Sequence, residues 1–240
     1  MLSNHEDIQK FFLNNTAEDK ENIEKLFINE VKSSQPIFQL RMLDLNGNEL
    51  IRIDKIDNNI SVIEPDKLQN KFVRDYFQKF IWLDKNQIGF SKLDLNVEYG
   101  EIETPFKATI RIAMPVFVND KKKAILIINY NMNDFIAEIR KSSFLDFYII
   151  DRDGYFIINP NHNLDWSRYK DNKDNVEATL PINLREIIQS KKFYFKDRFI
   201  AKTIFFWDDN EKIVLFKAKN NLGLNSFLEK SKISALLIVM

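Results

Sequence analysis

The stretch from Ile88 to Phe117, IGFSKLDLNVEYGEIETPFKATIRIAMPVF, holds the residues best suited to chemistry. Asp94, Glu98, Glu101 and Glu103 are carboxylates close enough in sequence to serve as general acid and base in a hydrolase. Acidic residues in a loop-like segment are more often solvated, however, and no nucleophile, phosphate loop or metal signature accompanies them. Arg111 is the second candidate. The alternation of TIRIAMPVF places Ile110, Ile112, Met114 and Val116 on one face of a strand and Thr109, Arg111, Ala113 and Pro115 on the other. A guanidinium flanked by small residues on its own face suits a cavity that holds an anion. Two plainer fates stay open for it: pairing with one of the chain's own carboxylates, or a solvated face of an antiparallel sheet.

The composition narrows the function classes. With 35 basic and 35 acidic residues the formal net charge is zero, so no global field draws the chain to nucleic acid or anionic lipid. The one basic run, Lys121 to Lys123, falls between two strand-like stretches, as a hairpin tip does. There is no cysteine, which excludes disulfides and thiolate metal sites. His5 and His162 are far apart and belong to no ligand-spaced cluster, so neither a histidine metal centre nor a Ser/His/Asp triad is supported, and no cofactor is implied. A hydrophobic fraction of 45% with 21 phenylalanines is enough for real cores.

The elements that must position these residues follow from periodicity. Residues 3 to 33 read as one long helix or two, with Ser3 and Glu6 in capping-box spacing, Thr16 and Asp19 offering a restart, and a stripe of Ile23, Leu26, Phe27 and Val31. Such a stripe pairs either with a copy of itself in a homodimer or with the chain's own sheet. After Pro36 the pattern changes to a hairpin, IFQLRMLDL and NELIRI around Asn46 and Gly47, followed by ISVI. DKLQNKFVRDYFQKFIWL reads as helix, and VNDKKK as a hairpin loop leading into the buried strand AILIINY. A second hairpin, FYIID and YFIINP around Gly154, repeats the first, the two turn glycines lying 107 residues apart, which points to a duplicated module. Strands FYFKDRFI, KTIFFW and KIVLFKA follow, the last two joined by a turn at Asp208 to Asn210. The chain closes on the helical pattern SFLEKSKISALLIVM. Its ISALLIVM, eight residues, is far short of the roughly 20 that span a bilayer, and is either a buried segment or the first part of a longer apolar helix.

The summed order of helix, two modules of hairpin, helix and antiparallel strands, and a closing helix resembles the double Cache (PAS-like) extracytoplasmic sensor domain of bacterial histidine kinases, diguanylate cyclases and chemoreceptors. Three stretches carry the resemblance: VRDYF at 73 to 77, IGFSKLDLNVEYGEIETPFKATIRIAMPVF, and IIDRDGYFIINP with Trp166. It implies an α+β fold with a helical segment at 1–35, a membrane-distal module at 36–141, a membrane-proximal module at 142–225 and a helix at 226–240 that begins a membrane span. It further implies a periplasmic location, flanking spans, no enzymatic activity in this chain, and a small-molecule pocket in the first module. The family's pocket positions fall on Arg74 with Tyr76, on Ser91 and Asp94, on Arg111, and on Asn129. Amino-acid-binding members carry an aspartate where this chain has the neutral Asn129. The resemblance therefore implies a small anion, such as a carboxylate, with Tyr76 and Tyr130 closing over its apolar part. A structural or protein-binding ectodomain without a small ligand is the alternative.

Overall fold

In the computed structural model, which describes residues 2–141, 145–190, 193–205 and 211–218, the N-terminal segment forms two helices, α1 (Glu6–Asn14) and α2 (Ala17–Ser33). They part at Asn15, whose left-handed backbone (φ 53°) is followed by a complete capping box between Thr16 and Asp19. The first helix is capped by His5, which accepts from the Asp7 N–H, while the expected cap Ser3 lies buried in a preceding 3₁₀ turn. Ile23, Phe27 and Val31 of α2 are fully buried on the chain's own sheet, each burial worth about 1.5–3 kcal/mol. Of the two fates open to this stripe, the fold uses it intramolecularly.

The first hairpin is β1 (Ile37–Asp44) with β2 (Glu49–Ile56), continued by β3 (Asn59–Val62). Gly47 has φ 82°, and a side chain there would collide with the Phe72 backbone, 2.6 Å from a would-be Cβ. This close approach explains a departure from the helical pattern of residues 66 to 83. The segment is pinned to the hairpin, Lys71 N–H donating to Gly47 O at 2.7 Å, so only α3 (Asp75–Phe80) is α-helical and Phe72 is half exposed. Short strands follow: β4 (Gly89–Phe90), β5 (Asp94–Leu95), β6 (Val97–Glu98) and β7 (Glu101–Ile102). Two long strands, β8 (Ala108–Val118) and β9 (Lys121–Asn131), complete a seven-stranded antiparallel sheet in the order β3-β2-β1-β9-β8-β4, with β5 also on β8; β6 and β7 form a separate hairpin.

Register settles which residues share a face. Arg111 pairs with Asn129, Asn129 with Gln39, and Gln39 with Asp54, so these four point to one side. Met42, Ile51, Val116 and Leu126 point to the other and pack under α1 and α2. On the first side α3 covers only Leu43, Ala113, Ile125 and Ile127, through Tyr76, Phe77 and Phe80. Apart from these and Pro115, that face is polar.

The chain divides at residues 133 and 134 into two compact units. Beyond α4 (Asn133–Ile139) the second is built from β10 (Leu145–Asp151), β11 (Phe156–Ile158), α5 (Val176–Thr179), α6 (Leu184–Gln189), β12 (Tyr194–Lys196), β13 (Phe199–Phe205) and β14 (Glu211–Ala218), in the sheet order β11-β10-β14-β13-β12. FYFKDRFI, expected as one strand, is a hairpin, because Asp197 adopts φ 51° between β12 and β13. The core joins Tyr148, Ile150 and Phe156 to Val176, Ile182 and Ile187. The expected turn at 208–210 and the segment 226–240 with ISALLIVM lie outside the described residues. Among the described residues no helix is long and apolar enough to cross a membrane, and no cluster of side chains could hold a metal ion.

Candidate functional site

The polar half of the first unit's sheet is assembled by strand alternation. Gln39 and Arg41 project from β1, Glu49, Arg52 and Asp54 from β2, Arg111 from β8 and Asn129 from β9. Above them lies the β6–β7 hairpin, which lowers Glu98 among the cations. Glu98 lies 3.0 Å from Arg52, 3.2 Å from Lys71 and 3.9 Å from Arg41, and accepts from Gln39 and Gln69 at 3.2 and 2.9 Å. Burial alone would raise this carboxyl, but Arg41, Arg52 and Lys71 outweigh it and hold Glu98 down at about 2. Arg41 is matched by Glu49 at 3.0 Å, and Arg52 by Asp54 at 2.7 Å. Burial, with repulsion from Arg41, pushes the Lys71 ammonium down to about 8.

Arg111 is different. It is 3% exposed, and among the described residues no carboxylate lies within 4.0 Å of it, Asp94 acting only from farther off. Its Nη2 donates to the neutral Asn96 Oδ1 at 3.2 Å, its Nε is buried without a partner, and its guanidinium lies 4.6 Å from the Tyr76 ring centre. Burial pushes it down to about 10, with Arg41 and Arg74 adding repulsion. Arg74, half-buried at the N-terminus of α3, lies 5.8 Å from the same ring. Across the strand pair, Asn129 donates to Gln39 at 2.7 Å and to Asn96 at 3.3 Å, while its Oδ1 is buried and unpartnered. Beside this group opens a cleft of about 410 Å³, lined by Gln39, Arg52, Asp54, Asn96, Glu98 and Lys107 among others. Arg111 and Asn129 lie behind its wall, reached through Gln39 and Asn96.

Of the residues singled out in the sequence, Arg74, Tyr76, Arg111 and Asn129 converge. Ser91 lies beside them, but its hydroxyl is engaged by the backbone, accepting from Arg111 N–H at 2.9 Å and donating to Lys92 O at 2.9 Å. Asp94 is near enough to stabilise the Arg111 charge, and it pairs with Lys92 at 3.4 Å. Tyr130 pairs with Ile110 and so projects to the opposite face of the sheet from Asn129. Gln39, Arg41, Arg52, Lys71 and Asn96 were not singled out. For the first three a signal existed, since FQLRM and IRID alternate as TIRIAM does; for Lys71 and Asn96 none did, because their partners are brought by topology.

Residues 1–208 match the family model described as "Bacterial histidine kinase, sensor domain". The chain belongs to that family. It is a sensor domain for signal transduction, not a catalytic one, and the hydrolase alternative for Asp94 to Glu103 drops out. Among solved structures it is similar to the domain of a sensory box/GGDEF family protein from Vibrio parahaemolyticus (19% identity, TM-score 0.75, covering 93% of this chain and 87% of that one). The extracellular domain of the histidine kinase vpHK1S-Z8 is comparably similar (18%, TM-score 0.75, 94% and 84%). The ligand-binding domain of the Campylobacter jejuni chemoreceptor Tlp3, solved with L-valine, is more distant (12%, TM-score 0.59, 93% and 81%). No curated protein matches the chain. The resemblance to double Cache sensor domains, and the α+β fold it implies, hold.

Proposed function

We propose that this chain is the extracytoplasmic ligand-sensing part of a bacterial signal transducer and that its first unit binds a small molecule carrying a carboxylate or similar anionic group at Arg111. The observation that supports this is the contrast among buried arginines. Arg41 and Arg52 are matched by carboxylates, whereas Arg111 is equally buried and has none within ion-pair distance. An uncompensated buried cation is costly, and an anion entering beside it forms charge-assisted bonds in a low-dielectric site. Tyr76, between two guanidiniums, would cover the apolar part of the ligand. The cleft's carboxylates give an amino acid a second way in, with its ammonium toward Asp54, a reading favoured by the L-valine on the similar Tlp3 domain.

Membrane attachment through flanking spans is part of the reading, with 233–240 as the candidate segment. With the α2 stripe buried on the sheet, a homodimer through these helices would use their outer faces. Calorimetry of the chain against monocarboxylates, dicarboxylates and amino acids tests the site. Binding that weakens by about thirtyfold or more in Arg111→Ala supports it. Equal affinity in wild type and variant, or no binding to any member, refutes it, and a preference for the amino acid over its deaminated analogue would establish the second reading.

A further inference from the structure

Asn96 lies where the β6–β7 hairpin meets the sheet. It is 1% exposed and falls between β5 and β6, its N–H donating to Lys107 O at 2.9 Å and its carbonyl accepting from Glu103 N–H at 3.0 Å. Its side-chain amide joins the sheet to the carboxylates above it, as Gln39 also does by accepting from Asn129 and donating to Glu98, but Asn96 alone of the two takes its bond from Arg111. Oδ1 accepts from Arg111 Nη2 at 3.2 Å and Asn129 Nδ2 at 3.3 Å, the donors of the sheet. Nδ2 donates to Glu103 Oε2 at 2.9 Å and Glu98 Oε1 at 3.5 Å, the carboxylates of the β6–β7 hairpin.

Both bonds to Oδ1 are long, and the acceptor is neutral although one donor is a buried cation without a carboxylate. We infer that Asn96 Oδ1 stands in for a ligand oxygen and that Asn96 latches residues 94–107 to the sheet: an entering carboxylate takes Arg111 and Asn129 away from it and frees the hairpin to re-seat. This rests on the reading of Arg111 as the anion site and adds how occupancy is felt by the protein. One unmatched guanidinium balances one negative charge, and Glu98 and Glu103 border the same spot, so a monocarboxylate end-group suits it better than a phosphate dianion. The displaced amide keeps its backbone bonds, so the motion begins as a side-chain rotation. Its consequence passes to Glu98, which is tied to Arg52 and Lys71.

Hydrogen exchange of the whole chain tests the latch without any ligand. Asn96→Ala should raise exchange of residues 94–107 about tenfold, the effect of losing a bond to a charged group, with exchange in β10 and β13 unchanged as the check on folding. The double variant Asn96→Asp with Glu103→Gln keeps the net charge and gives Arg111 a permanent carboxylate. It should slow exchange of 94–107 relative to the Glu103→Gln control and abolish acetate binding. Unchanged exchange in Asn96→Ala, or faster exchange in the double variant than in its control, overturns the latch. Acetate and inorganic phosphate are the probes for the stand-in role: acetate, not phosphate, should raise exchange of 94–107 in the wild type and leave Asn96→Ala, already released, unchanged. If the ligand-free results come out as expected but acetate neither binds nor raises exchange of 94–107, the stand-in role and the anion site fail together. If acetate binds through Arg111 yet the double variant still binds it, only the stand-in role fails.

Discussion

The two units share a hairpin and fill it with opposite chemistry. In each, a glycine at positive φ makes the turn, and its carbonyl accepts an N–H from a returning segment, Lys71 in one and Val176 in the other. Six residues before that glycine stand Arg41 and Tyr148; two residues after it stand Glu49 and Phe156. Arg41 and Glu49 form a buried ion pair at 3.0 Å, whereas Tyr148 and Phe156 are packed rings 6.1 Å apart, tilted at 40° to each other. The scaffold therefore closes with an apolar inner face, and the second unit does so, with Val176, Ile182 and Ile187 packed against it. A buried ion network gives a fold no stability advantage over apolar packing of similar volume. Among the described residues such a network stands only in the first unit, beside a cleft, and this asymmetry is what the proposed binding role explains.

The largest expected effect attacks that comparison directly. Glu49→Ala leaves Arg41 buried without its nearest carboxylate and should lower stability by about 3–5 kcal/mol in urea unfolding. Copying the second unit into the first, Arg41→Tyr with Glu49→Phe, removes both charges together and should lie within about 2 kcal/mol of wild type. If the double variant is as unstable as Glu49→Ala, the two hairpins are not equivalent and the comparison fails.

A sharper contrast lies within the first unit. Arg41→Met strands Glu49 and should again cost about 3–5 kcal/mol, while Arg111→Met removes a cation that has no carboxylate and should shift stability by no more than about 1 kcal/mol in either direction. Equal costs for the two would mean that Arg111 is a structural residue and would remove the basis of the ligand reading.

What the sequence made legible was local. Strand alternation placed Arg111 and Ala113 on the face away from Ile112 and Met114, and the register agrees. The same period also separates Tyr130 from Asn129, since neighbours in a strand face opposite sides, so its place across the sheet was readable from the chain. The Glu98 cluster was not readable in this way. Its members come from residues 41, 52, 71 and 98, and only the pairing of β1 with β2 and the descent of the β6–β7 hairpin bring them together. Helical spacing from Leu68 to Phe80 misled for a related reason: the hairpin at Gly47 captures the backbone at Lys71 and overrides the local period.

The smallest effect is a pH dependence that separates the units. Lys71 has its folded value near 8, against about 10.4 in an unfolded chain, because burial and Arg41 disfavour its charge. Between these values the unfolded state binds more protons than the folded one, so stability rises with pH from about 8 to about 10.4. Glu98 works at the other end: its folded value is near 2 and its unfolded value about 4.3, so its contribution is complete above about 4.3 and is lost as pH falls toward 2. Lys71→Met should flatten the alkaline rise and leave the acid limb in place. Val176, at the matching place in the second unit, carries no charge, so β10 and β13 should show no alkaline gain in exchange protection once intrinsic exchange rates are corrected. A rise that survives in Lys71→Met would assign the alkaline gain to another group and detach the buried ammonium from the charged face that distinguishes the first unit.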